Sequence, residues 1–229
     1  MTSTRQLIGR LASEARAVRP VASPGYRAAR WSGLCALVIA IAVVLMGARP
    51  GLLEAMSIPA NAMEWMAAVL TGVLASYAMF QVSIPGRPVR WGWLPVPALA
   101  AWAASIGWGC VGEWRRLGMA AFAYDAHGAE CLAVILALSV PLLAMSLYLV
   151  RHAGPVRPVA TAVLAGLSGA GFASAGVSLA HDGENALMVL LWHGGAVAVL
   201  VGAMALFGGR WFAWISGRTA AGSNAWKRT

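Results

Sequence analysis

Charge is scarce in this sequence of 229 residues. Only 11% are Asp, Glu, Lys or Arg, eight of them are acidic, and lysine occurs once, at Lys227. A soluble domain carries ~25% charged and ~45–50% apolar residues, whereas this chain is 60% hydrophobic, which argues against a water-soluble enzyme. The motifs of soluble catalysis are missing as well: GxxxxGK[ST], HExxH, GxSxG and CxxC do not occur. The glycine-rich run Gly166–Gly171 lies inside an apolar stretch, where a phosphate cradle has no place. Within its long apolar stretches the chain carries no acidic or basic residue of the kind that pumps, proton-coupled transporters and ion channels place along their pathways.

What is present is apolar length. Six stretches contain no Asp, Glu, Lys or Arg: Trp31–Ala48, Trp65–Ile84, Trp91–Gly112, Cys131–Val150, Pro158–Ala180 and Asn185–Gly209. About 20 helical residues cross a hydrocarbon core of ~30 Å, and only structures that satisfy their own backbone groups cross lipid. The period-two alternation of a membrane strand is absent. The expected fold class is therefore all-α: a polytopic membrane bundle of six transmembrane helices. Trp31–Ala48 is longer than the apolar region of a signal peptide and follows a polar segment, so it reads as an anchor.

The flanking charges orient the bundle. With the N-terminus in the cytoplasm, fourteen of the 17 basic residues fall inside, leaving Arg49, Arg115 and Arg116 outside. The acidic residues segregate oppositely: Glu54, Glu64, Glu113, Asp125, Glu130, Asp182 and Glu184 fall outside, and Glu14 alone falls inside. Both termini are expected in the cytoplasm. The net charge of +9 thus has a topological meaning, and no direct nucleic-acid binding is expected.

Inside the spans, Pro95, Pro97 and Pro141 predict kinks that set packing geometry. Ala162, Gly166, Ala170 and Ser174 recur every four residues, with Gly169 beside them, a small-residue stripe that lets helix backbones approach closely. The stripe predicts an interface within the bundle, and a homo-oligomer contact stays open as the alternative. His193, the sole histidine within a span, reads as a hydrogen-bonded side chain, and Cys35 as a small apolar one.

The N-terminal 30 residues are the most informative. Leu7, Ile8, Leu11, Ala15 and Val18 fall on one face of a helix, with Arg5, Arg10, Glu14 and Arg16 on others. Thr4 is the expected N-cap, and Pro20 the expected stop. A short cytoplasmic amphipathic helix of this kind either lies on anionic lipid or sets its apolar face into a partner's groove.

The tail, read as Leu7-Ile8, Leu11-Ala12, Ala17-Val18-Arg19-Pro20-Val21, then Pro24 and Arg27 before Trp31, resembles the opening of NrsF-type membrane anti-sigma factors, negative regulators of sigma F. Later motifs extend the resemblance: Cys131 ahead of Ala137, Leu138 and Pro141, the basic loop Arg151 to Pro158, and the closing Gly208, Arg210, Trp211 and Trp214. The resemblance implies a bacterial inner-membrane protein with six spans, whose cytoplasmic N-terminal segment holds an extracytoplasmic-function sigma factor inactive. It makes Leu7, Ile8, Leu11, Val18, Arg19 and Pro20 the sigma-factor-binding residues. Residues 1–28 would form the binding tail, 29–210 the transmembrane domain and 211–229 a cytoplasmic C-terminal tail.

One departure bears on sensing. The family carries two outer cysteines; Cys131 fits the first, but the second position reads His181-Asp182, and Asp182 forms no disulfide. The residues assigned to sensing are Cys131, His181 and Asp182. Cys110 stays open as a substitute partner, as does a regulatory divalent metal among Asp125, His127, Glu130, Cys131, His181, Asp182 and Glu184, against ordinary solvation of two loops. No other cofactor and no catalysis are expected. The rival functions are a small integral-membrane enzyme or transporter for a lipid-soluble substrate, and a membrane scaffold or assembly factor.

Overall fold

The computed structural model describes residues 3–14, 21–122, 128–150, 156–180 and 186–215. The described residues form helices and connecting turns without a strand: α1 (Thr4–Glu14), α2 (Pro24–Met46), α3 (Leu52–Ser57), α4 (Pro59–Val82), α5 (Val96–Leu117), α6 (Gly128–Val150), α7 (Pro158–Ala180), α8 (Ala186–Val189) and α9 (Gly195–Ile215). Six helical segments are long and apolar enough to cross a membrane: Pro24–Met46, Pro59–Val82, Val89–Ala120, Leu132–Val150, Pro158–Ala180 and Ala186–Trp214. This is a multi-pass helical membrane protein.

Proline opens several of these helices. Pro24, Pro59 and Pro158 are the first residues of α2, α4 and α7, where a missing N–H costs nothing and the fixed φ suits the helix. Pro95 and Pro97 do the same for α5, at its N-cap and second residue. They are therefore not interior kinks, as their place in an apolar stretch suggests; a tight turn, Val89–Trp93, precedes them and the helix starts after it. Pro141 does lie inside α6. Helices also begin before the apolar runs do. Ser23 caps α2, its Oγ accepting from the Tyr26 amide at 3.3 Å, so Arg27 and Arg30 sit in the first turns of the helix. The sixth apolar stretch is interrupted: a π-turn, Leu190–Gly194, joins α8 to α9 and carries the buried His193.

The central helix is α7. It packs on α2, α4, α6 and α9, and 83% of its most apolar window is buried, against 17% for α2. Lipid supplies no hydrophobic force between helices, so close van der Waals packing and hydrogen bonds hold a bundle together. The small residues of α7 supply that closeness on every side. A Cβ on Gly171 would lie 2.9 Å from the Gly72 backbone nitrogen of α4 and 3.1 Å from the Ala68 oxygen. On Gly166 it would meet Met204 of α9 at 3.2 Å, and on Gly176 it would meet Ile39 of α2 at 2.9 Å. Ala162 touches Gly208 of α9. The stripe at Ala162 and Gly166 is thus an interface within the bundle, facing α9.

Hydrogen bonds add direction. Trp31 of α2 donates its Nε1–H to Ser168 Oγ of α7 at 3.2 Å, and Trp65 of α4 donates to the Ala175 carbonyl of α7 at 3.1 Å. Three buried hydroxyls bond back to carbonyls three or four residues earlier, Thr71 to Ala67 O, Ser146 to Leu143 O and Thr161 to Arg157 O, which satisfies them without a partner across the bundle. Cys35 is fully buried among apolar neighbours, with Trp31 and Ile39 in the same core.

Gly171→Ala tests the central contact. The clash is with backbone, which cannot swing aside, so the substitution should cost about 1–3 kcal/mol and lower the thermal midpoint of the purified protein in detergent. Gly33→Ala, where a Cβ meets nothing within 4 Å, should leave the midpoint unchanged or raise it. Equal midpoints for the two variants would remove the α4–α7 approach from the account.

Candidate functional site

The bundle has two chemically different ends. At the first, the Arg27 guanidinium at the start of α2 donates from Nη2 to the Leu149 carbonyl at the end of α6, 3.2 Å. Arg157, just before α7, donates from Nη1 to the Arg87 carbonyl beyond α4, 2.9 Å. Tyr77 meets Trp91 edge-on at 5.6 Å and accepts from Gln81 Nε2 at 2.8 Å, anchoring the turn after α4. Arg90 and Arg210 lie at this same end, in the turn after α4 and near the close of α9. No Asp or Glu of the described bundle joins them there.

At the second end the Arg49 amide donates to the Leu179 carbonyl at 3.0 Å, joining the segment after α2 to the close of α7. Glu113, in the last turns of α5, accepts from the Ala186 amide with both carboxylate oxygens, 3.2 and 3.0 Å. The carboxylate thus caps α8 and ties α5 to the start of the sixth membrane segment, a placement favoured by the partial positive charge of a helix start. Sequence reasoning placed Glu113 on this face but not in this role, because no spacing signals a cap supplied from a different helix. Asn61 bonds the Ala55 carbonyl at 3.1 Å and fixes α3 against α4.

The N-terminal helix stands apart from both. Ser3 opens α1 by a reciprocal pair, its Oγ accepting from the Gln6 amide at 3.3 Å while Gln6 Oε1 accepts from the Ser3 amide at 3.1 Å. This capping box puts the N-cap one residue before the expected Thr4, which is itself helical. Arg10 and Glu14 pair at 3.0 Å on the polar side. No residue of α1 is buried. Leu7, Ile8 and Leu11 remain 51%, 62% and 60% exposed, although each would contribute about 1.5–3 kcal/mol if fully buried. These three of the six tail residues share one uncovered apolar face; Val18, Arg19 and Pro20 lie outside the described residues.

Of the outer sensing residues the structure describes only one backbone position. Cys131 falls within the first turns of α6, but its side chain, His181 and Asp182 lie outside the described residues, as do Asp125, His127 and Glu184. Cys110 is a free thiol, partly exposed, against the Ala67, Trp102 and Ala175 core. Among the described residues no three His, Cys, Asp or Glu side chains come together to hold a metal ion.

A family model described as NrsF, negative regulator of sigma F, matches residues 11–214. No curated protein and no solved structure matches.

The Glu113 cap generates a prediction. Glu113→Ala removes both acceptors, and a hydrogen bond to a charged group contributes about 1.5–3 kcal/mol. Amide hydrogen exchange across residues 186–189 should then accelerate by about tenfold or more, with exchange in the α4–α7 core unchanged. Unchanged exchange at Ala186 would show that the carboxylate does not hold that helix start.

Proposed function

The chain belongs to the NrsF family, negative regulators of sigma F, and from that premise we propose that it is a membrane-bound anti-sigma factor acting through its N-terminal segment. The observation that carries this reading is the uncovered face of Leu7, Ile8 and Leu11 on α1. An amphipathic helix that no other described element buries is suited to a partner's hydrophobic groove. The partner is an extracytoplasmic-function sigma factor. The mechanism is binding and not catalysis: the apolar face occupies sigma-factor surface otherwise used for RNA polymerase, and a change at the opposite end of the bundle releases it. Arg5, Arg10 and Glu14 on the polar side of α1 keep the helix soluble while it waits.

The orientation follows from charge. The end joined by Arg27, Arg87 and Arg157 carries the basic flanks and faces the cytoplasm of a bacterial inner membrane, and the end of Glu113 faces outward. Reporter fusions after Gly86, Ala153 and Thr229 should register cytoplasm, and fusions after Pro50, Gly118 and Gly183 the periplasm. A periplasmic signal from Thr229 would break the even number of crossings and with it the proposed location of the tail.

The tail itself is tested by Leu11→Asp in the full chain. A charge placed in an apolar contact without a partner costs ~3 kcal/mol or more, so sigma-factor capture by the purified protein should weaken about a hundredfold. Expression of the sigma factor's target genes should rise. Full capture by a variant that inserts normally would show that α1 is not the inhibitory element.

A further inference from the structure

At the end of the bundle where α2 begins lies a cavity of about 530 Å³ between α2, α4 and α6. Trp31, Leu34, Phe80, Met145 and Leu149 give it an apolar wall, and Arg27 and Arg30 stand at its rim. We propose that this cavity binds one anionic phospholipid of the adjoining leaflet, its phosphate on Arg27 and Arg30 and an acyl chain along the apolar wall.

The argument starts from Arg27. Its guanidinium lies 4.4 Å from the centre of the Phe80 ring, and one of its nitrogens, Nη2, donates to the Leu149 carbonyl. The other terminal nitrogen, Nη1, is buried and has no acceptor among the described residues. Arginine stays charged in proteins, and a buried guanidinium N–H left without an acceptor is unfavourable. The aromatic ring offsets part of that cost but accepts no hydrogen bond in the guanidinium plane. No carboxylate is at hand: among the described residues the acid nearest in sequence, Glu14, is bonded to Arg10. Arg30, exposed and over the Tyr26 ring at 5.6 Å, adds a second positive charge beside the first.

Phosphate answers that need, because a guanidinium binds its oxygens in a fork. The apolar wall selects the source. Inorganic phosphate leaves Trp31, Leu34 and Met145 unused, whereas a lipid tail covers them. The depth is also right. Both arginines lie in the first turns of a membrane-spanning helix, where long basic side chains reach the headgroup layer, and the exposed Tyr26 ring beside them is the type that concentrates there. The apolar face of α1 is a poorer occupant, because it brings no free anion to Arg27.

Native mass spectrometry of the full detergent-purified chain tests the proposal, with phosphatidylglycerol, phosphatidylcholine of the same acyl chains, and inorganic phosphate as probes. One phosphatidylglycerol should be retained in preference to phosphatidylcholine, and inorganic phosphate should not compete with it. A basic residue near a membrane surface contributes ~1 kcal/mol, so Arg27→Gln and Arg30→Gln should each weaken retention about fivefold. Arg116→Gln, at the far end of α5, should not. Met145→Trp, which narrows the cavity and leaves both arginines in place, should also lower retention and guards against misfolding of the arginine variants. Equal retention of the two lipids, equal loss in Arg116→Gln, or displacement by inorganic phosphate would each overturn the proposal. Retention that appears only after deletion of residues 1–14 would put α1 in the cavity instead. Sigma-factor capture measured on the same samples separates the readings, since the lipid site stands or falls without it.

Discussion

Everything in this bundle depends on how closely α7 is approached. Its glycines meet a different neighbour at each angle: Gly171 the Gly72 backbone of α4, Gly166 the Met204 side chain of α9, Gly176 the Ile39 side chain of α2. In lipid, where apolar helices gain nothing by leaving solvent, the gain must come from contact area and dispersion. A helix of large side chains at the centre would hold its neighbours apart and forfeit those contacts. The tryptophan bonds from α2 and α4 then fix register, because Ser168 Oγ and the Ala175 carbonyl are single points along α7.

With the middle of the bundle packed this tightly, chemistry is left to the ends. The end where α2 starts is basic, and its arginines are partly spent on backbone carbonyls of neighbouring turns. At the opposite end Glu113 caps a helix start. These polar ties join helices at their rims, so a displacement at one end has a packed rod, α7, along which to reach the other. Under the function proposed above, release of the N-terminal segment by an outer condition would use that rigid connection.

The amphipathic helix α1 stands outside this economy. Its capping box and its Arg10–Glu14 pair are local, and its apolar face is uncovered. It is helical on its own terms. Among the described residues its hydrogen bonds and ion pair are all local, as the sequestering role proposed above would require.

Much of this was legible in the residues themselves. Six uncharged stretches had to be helices because lipid offers no partner to an exposed backbone, and the period of Leu7, Ile8 and Leu11 marked one face of a tail helix. The small-residue stripe announced a close interface, but not its partner: Ala162 and Gly166 turn toward α9 while Gly171 turns toward α4, and only the packed bundle assigns those directions. Sequence read Pro95 and Pro97 as kinks, because an uncharged run does not reveal where a helix begins within it. Nor could it find Glu113 on the Ala186 amide or Arg27 between Phe80 and Leu149. Those pairs are separated by tens of residues, and local pattern carries no information about which distant turns a bundle brings to the same end. The sequence by itself determined the number of membrane-length helices, the charge of each end and the periodicity of α1, since each follows from local chemistry. Tertiary structure decided which helix is central and which guanidinium nitrogen lacks an acceptor among the described residues, since both depend on how the helices are arranged around α7.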